Sequence, residues 1–302
     1  MDRKEEEMQF MGIADIYTEA YMIILRCSKI FKHVMFTLIL PLSCFIFIAH
    51  RDISSLIFIK SDKLPDFDSV EWDLFWFFKV VYLSFLLVFY NLSTSIVVYT
   101  VSSVYKLGHE KVTLKDVRSV MPRAWKGLLV TFFCNFLLFL VYNIITTIIV
   151  TVFLAISTFG KLIQFGQGIF FLAVMVVYAA GFIYMTIIWQ LANVVTVLED
   201  LCGFQAMIKS KELIKGKLMA TMFVFSQLNC SFALIQILFG KFVLFGHSIQ
   251  MPQRIAFGFI CFWSFCILIL FGLIIQTIVY FICKSYHLEK IDEPTAIDDL
   301  AI

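Results

Sequence analysis

An all-α polytopic membrane bundle, with about six transmembrane helices and three amphipathic cytosolic interfacial helices, is the fold this sequence predicts. Hydrophobic residues make up 61% of the chain and charged residues 15%, with a mean hydropathy of +0.92, which is too apolar for a soluble domain. Six long runs carry no Asp, Glu, Lys or Arg. They lie between Lys32 and Arg51, Lys79 and Lys106, Lys126 and Lys161, Lys161 and Glu199, Lys217 and Lys241, and Arg254 and Lys284. A helix needs roughly 20 apolar residues to cross a hydrocarbon core of about 30 Å, so each run holds one span. The runs are continuous rather than alternating, which excludes a transmembrane β-barrel.

The spans follow in order within one membrane domain, residues 1–302. An N-terminal cytosolic segment (1–33) leads into the six-span bundle (34–283), and an acidic cytosolic tail (284–302) closes the chain. The runs after Lys79, Lys126 and Lys161 exceed one bilayer crossing, so their helices are expected to tilt or to project from the membrane. Gly160, Gly166 and Gly168 are expected to turn the chain between the third and fourth spans. Counted over the connecting segments, seventeen Lys and Arg fall on the side that holds both termini and seven on the other. Positive residues are retained in the cytosol, so both termini are expected there. Trp72, Phe75, Trp76, Phe77 and Phe78 read as an aromatic belt at the opposite interface. The address is the endomembrane system, as in the endoplasmic reticulum, or the plasma membrane.

Each cytosolic segment carries a helical pattern. Over residues 13–33, Asp15, Thr18, Glu19, Arg26, Lys29 and His33 share one side. Ile13, Ile16, Tyr17, Ala20, Ile24, Cys27 and Phe31 share the other, which predicts an amphipathic helix running straight into the first span. TLKDVRSVMPRAWKG, after the second span, sets Val117, Val120, Met121 and Ala124 against Lys115, Arg118, Ser119 and Lys126. The third segment, VLEDLCGFQAMIKSKELIKGK, places seven charges in nineteen residues after thirty-seven that carry none. Glu199 and Asp200 are expected at its N-terminus, where acidic groups complement the helix dipole. Gly203, Ala206, Ser210 and Leu213 recur on one face, small enough for close docking on the bundle. Lys209, Lys211, Lys215 and Lys217 remain to meet lipid headgroups or a partner. Lys32, Lys126 and Lys217 precede the odd-numbered spans at separations of 94 and 91 positions, a rhythm that fits a threefold repeat of one helix and two spans or simply six spans with both ends inside.

The opening MDRKEEEMQFMGIADIYTEAYMIILRCSKIFKHVMFTLILPLSCFIFIAH resembles a plant family of uncharacterised multi-pass membrane proteins. The shared features are an acidic start with an EEMQF-like element and a LILPLS-type first span with a His near its end. The resemblance continues through VLEDLCGFQAMIKSKELIKGK and the KSYH after the sixth span. More distantly, Glu199, Gly203, Ala206, Ser210, Leu213 and Gly216 are spaced as in prokaryotic membrane domains, including one sometimes fused to glycerophosphodiester phosphodiesterases. The resemblance implies an architecture. It implies no hydrolase activity, because the fused catalytic domain has no counterpart here.

Motifs of catalysis are missing. The five histidines lie near membrane boundaries or in loops, with no HExxH, GxSxG or phosphate-cradling glycine loop. No catalytic residue, metal or cofactor is therefore expected, and no nucleic-acid partner. Cys27, Cys202 and Cys283 lie near the cytosolic boundary, where acylation is chemically reasonable. Amides inside the spans, above all Asn91, Asn143, Asn193 and Gln227, are costly in lipid unless hydrogen-bonded. They serve either as glue between helices or as the lining of a solute path. Two functions follow. The first is a non-enzymatic, membrane-organising protein whose partners are the bilayer, anionic headgroups and other proteins. The alternative is a facilitator or channel for a small or lipidic solute.

Overall fold

The computed structural model describes residues 8, 10–48, 70–107, 114–159, 164–199, 201–245 and 250–287; the side chains of 70–79, 106–107, 114–123, 156–159 and 164–167 lie outside that description. Among the described residues there are eight helices and no strand. They are α1 (Ile13–Arg26), α2 (Ser28–Ile48), α3 (Val70–Leu107), α4 (Leu114–Phe159), α5 (Gln164–Leu198), α6 (Phe204–Leu213), α7 (Leu218–Leu244) and α8 (Met251–Tyr286). All except α1 and α6 are long and apolar enough to cross a membrane. Helix is what lipid permits, because the backbone must satisfy its own hydrogen bonds there.

The central helix is α8, which packs on α1, α2, α3, α5, α6 and α7, whereas α4 packs on α3, α5 and α6. In its most apolar stretch α8 is 44% buried and α4 has no buried residue. Leu137, Ile144, Ile148 and Val152 of α4 are exposed, the surface expected of a helix bathed in acyl chains. At 46 residues, α4 is about 69 Å long, more than twice the hydrocarbon thickness. Pro41 explains a local irregularity in α2. A proline has no N–H and crowds the carbonyl four residues back, and the turn before it, Met35–Ile39, widens to π-helix.

Hydroxyl groups inside the spans are satisfied locally. Ser93, Thr94, Ser95 and Thr100 of α3 each donate to the carbonyl four residues earlier, at 2.7–2.9 Å. Three of the four amides singled out in the sequence bond across helices. The Tyr178 hydroxyl donates to Asn143 Oδ1 at 3.0 Å, Asn193 Nδ2 donates to the Tyr90 hydroxyl at 3.3 Å, and the Tyr17 hydroxyl donates to Gln227 Oε1 at 3.0 Å. Asn91 is 1% exposed, and its Nδ2 has no hydrogen-bond partner among the described residues.

Three boundaries differ from the sequence pattern. Residues 13–33 are not one helix, because the backbone breaks at Cys27 (φ −103°, ψ 32°) and the span starts at Ser28. The basic segment after the second span is not a separate helix but the first turns of α4. The lone Gly127 after Lys126 does not end it, because an isolated glycine is tolerated inside a helical pattern and an established helix propagates. Gly166 and Gly168 lie within α5 rather than in a turn, since isolated glycines are common in transmembrane helices. Gly160 and the side chains of Trp72–Phe78, Lys115 and Arg118 lie outside the description.

Candidate functional site at the charged end of the bundle

Helices α5, α6, α7 and α8 meet where the chain carries its charged segment. Glu199 follows the last residue of α5 and keeps the helical bond from its N–H to the Val195 carbonyl at 2.8 Å. It therefore does not cap α6, which begins at Phe204 behind the N-cap Gly203. The carboxylate points to α8. Its Oε1 accepts from the Tyr280 hydroxyl and from Lys284 Nζ, the latter at 3.1 Å, with the side chains of Lys284 and Glu199 only 9% and 15% exposed. Tyr280 and Lys284 are four residues apart, which puts both on one face of α8.

The short connection into α6 is fixed by hydroxyls. Gly203 donates its N–H to Thr131 Oγ1 of α4 at 2.9 Å, and Thr131 shares a 2.8 Å hydrogen bond with Thr196 of α5. Gly203 has φ 62° and ψ −132°, a conformation that a side chain opposes. A Cβ there would lie 3.1 Å from Cys134 Sγ and 3.3 Å from Val130 Cγ1.

The other end of α6 is clasped by α8. His287 Nε2 lies 3.2 Å from the Leu213 carbonyl, one of the acceptors a helix end leaves over. Lys217 Nζ stands 5.5 Å above the Tyr286 ring. That ring packs so closely on Gly216 (φ 93°) that any Cβ would overlap it.

These restraints orient α6. Ala206 and Ser210 are fully buried and Leu213 is 1% exposed. Gly203 is buried with them, so the small-residue face lies against the bundle. Outward stand Phe204, 49% exposed, and Ile208, 59% exposed, with Lys211, Glu212 and Lys215 also exposed. Lys209 and Lys217 are half-buried, and Lys126 on α4 is exposed. On α1, Ile16, Ala20 and Ile23 are buried while Tyr21 and Leu25 are exposed. Both short helices thus carry bulky apolar groups on their outer side.

Among the boundary cysteines, Cys27 and Cys283 are buried and Cys202 is exposed. Burial pushes the Cys27 thiol up, against the opposing pull of the Arg26 charge, so it is a poor nucleophile.

In the sequence Glu199 reads as the acidic start of α6 rather than as a partner of α8; Lys284, Tyr286 and His287 enter only through the KSYH resemblance; Tyr280 and Thr131 have no visible role there. A hint was available in the four-residue spacing of Tyr280 and Lys284 at the end of a span, a position where a charge needs a partner. The partner's identity was not legible, because Glu199 lies more than eighty residues away along the chain.

Six apolar spans with α8 at their centre, closed at one end by a docked polar helix, define an all-helical multi-pass membrane protein among the described residues. The chain belongs to the family described as a domain of unknown function (DUF8558), whose model matches residues 1–302. No curated protein and no solved structure matches it.

Proposed function

We propose that this protein is a non-enzymatic organiser of membrane lipid, acting through α6 and the neighbouring surface on the cytosolic side of the endoplasmic reticulum or plasma membrane. One observation carries the reading: α6 is docked by its small-residue face and leaves Phe204 and Ile208 exposed beside Lys211 and Lys215. Apolar side chains one turn apart and flanked by lysine suit the headgroup boundary, where the chains enter the acyl region and the ammonium groups meet anionic lipid. Each such lysine contributes about 1 kcal/mol near an anionic surface. The positive-inside count supports the cytosolic orientation. The resemblance to plant and prokaryotic membrane domains adds an architecture and no chemistry. Protein partners meeting the basic residues of the cytosolic segments, Lys115, Arg118 and Lys126 among them, belong to the same reading.

The purified protein, reconstituted in bilayers holding spin-labelled phosphatidylserine or phosphatidylcholine, tests this. The expected result is a severalfold preference for phosphatidylserine that falls as salt rises and disappears when Lys209, Lys211, Lys215 and Lys217 are all changed to Gln. An unchanged preference in that variant would overturn the proposal.

A facilitator or channel is the weaker reading, because Asn143, Asn193 and Gln227 are each engaged by a tyrosine of another helix. Changing any of the three to Leu is therefore expected to loosen the bundle, by about 1 kcal/mol for each lost hydrogen bond. Vesicles containing the wild-type protein are expected to pass small neutral solutes no faster than empty ones. Faster passage that these substitutions abolish would restore the channel reading.

A further inference from the structure

A cavity of about 410 Å³ opens between α1 and the end of α3, with Asp15, Glu19, Arg26 and Tyr105 on its walls and Met8 and Met11 at its side. Tyr105 packs on Phe281 of α8 at 5.1 Å between ring centroids, which sets the cavity at the charged end of the bundle. On the other side of α1, Tyr17 stacks on Phe271 at 5.9 Å, while Tyr21 and Leu25 are exposed. A short amphipathic helix held in this way lies in the headgroup layer, so the cavity is open to phospholipid headgroups.

The charges on its walls decide what fits. Asp15 and Glu19 are one turn apart and Arg26 lies two turns further on, about 10 Å along the helix. Among the described residues no ion pair joins Arg26 to either carboxylate. Glu19 Oε1 accepts from the Tyr105 hydroxyl at 3.4 Å and Asp15 Oδ2 from the Gly12 N–H at 2.9 Å, so each carboxylate is steadied and keeps lone pairs to spare. A bare cation would meet the Arg26 charge, and a bare anion the two carboxylates. The walls instead complement a ligand that carries a cation and an anion a few bonds apart. Carboxylates only accept hydrogen bonds, which suits a primary ammonium with its three N–H donors, and a guanidinium suits phosphate. A trimethylammonium has no N–H to give and calls for an aromatic cage, whereas Tyr105 is the single ring on these walls among the described residues. A serine headgroup would bring a third carboxylate against the two.

We propose that this cavity binds the headgroup of an ethanolamine phospholipid, with Asp15 and Glu19 on the ammonium, Arg26 on the phosphate and Tyr105 positioning Glu19. The site is separate from α6 and takes a zwitterionic rather than an anionic lipid, so it and the lipid-surface reading can fail separately.

Native mass spectrometry tests this on the full-length protein in nonionic detergent, titrated with phosphatidylethanolamine, its N-methyl and N,N-dimethyl derivatives, and phosphatidylcholine, all with the same acyl chains. The first ethanolamine lipid is expected to bind about tenfold more tightly than the choline lipid, the value of one hydrogen bond to a charged group. Affinity is expected to fall along the series as N–H donors are removed. Glu19→Gln keeps an acceptor for Tyr105 and is expected to lessen the discrimination, and Asp15→Asn with Glu19→Gln to remove it. Arg26→Gln is expected to weaken all the lipids alike, because each carries the phosphate. Changing Lys209, Lys211, Lys215 and Lys217 to Gln is expected to leave the series unchanged. Free O-phosphoethanolamine is expected to compete poorly, since it lacks the chains that hold a headgroup beside α1. A sharp gel-filtration peak confirms that each variant is folded. Equal affinity along the series, discrimination that survives in both carboxylate variants, or competition by O-phosphoethanolamine equal to that of the lipid would each overturn the proposal.

Discussion

Lys284→Met is expected to destabilise the protein by about 3 kcal/mol, the lower end of the cost of stranding one charge of a buried pair. Lys284 and Glu199 are 9% and 15% exposed, so water screens the carboxylate little once the ammonium is gone. Glu199 would still accept from Tyr280, but one neutral donor compensates a carboxylate less well than a cation does. The double variant Glu199→Gln with Lys284→Met is expected to recover most of the loss, because a neutral amide replaces the stranded charge and can keep the Tyr280 hydrogen bond. Unfolding of the detergent-solubilised protein followed by circular dichroism measures both. A double variant weaker than Lys284→Met alone would show that the pair contributes through packing rather than charge.

The pair also shows what the sequence could and could not convey. The charge-free runs located all six spans, because a membrane demands about 20 apolar residues whatever the fold. The burial of Ala206, Ser210 and Leu213 follows the same local logic, since residues three and four apart share one helix face. Glu199 was misplaced for a local reason as well. Its acidic neighbour and the helix that follows suggested an N-terminal cap, whereas the residue is held by the helix before it and by a lysine from the last span. The break at Cys27 carries no Gly or Pro, and tertiary packing of Ile23 and Ile30 on either side decided it.

Together these features give the charged end a definite mechanical order. The ion pair ties the end of α5 to α8, the Thr131 and Thr196 hydroxyls tie the loop to α4 and α5, and the Tyr286–His287 clasp ties the end of α6 to α8. Helix α6 has ten residues, too few to persist alone in water. Its surface, with Phe204, Ile208, Lys211 and Lys215, is therefore presented only while these anchors hold.

Gly203→Ala is accordingly expected to cost about 2–3 kcal/mol and to release α6 before the rest of the molecule unfolds. The backbone there (φ 62°, ψ −132°) opposes any side chain, and the new methyl would press on Cys134 Sγ and Val130 Cγ1. Relief by rotating the loop would break the 2.9 Å bond from the Gly203 N–H to Thr131. Hydrogen exchange at the amides of α6, and tryptic cleavage at Lys211 and Lys215, are expected to accelerate at least tenfold while α5 and α8 remain protected. Adding Cys134→Ala removes part of the steric pressure but none of the backbone strain, so it is expected to restore stability only in part. Gly216→Ala is expected to cost less. Its φ of 93° is also unfavourable, but the Tyr286 ring it would strike is 43% exposed and free to swing outward. Equal exchange rates for α6 in wild type and Gly203→Ala would mean that the clasp at its far end suffices to hold it.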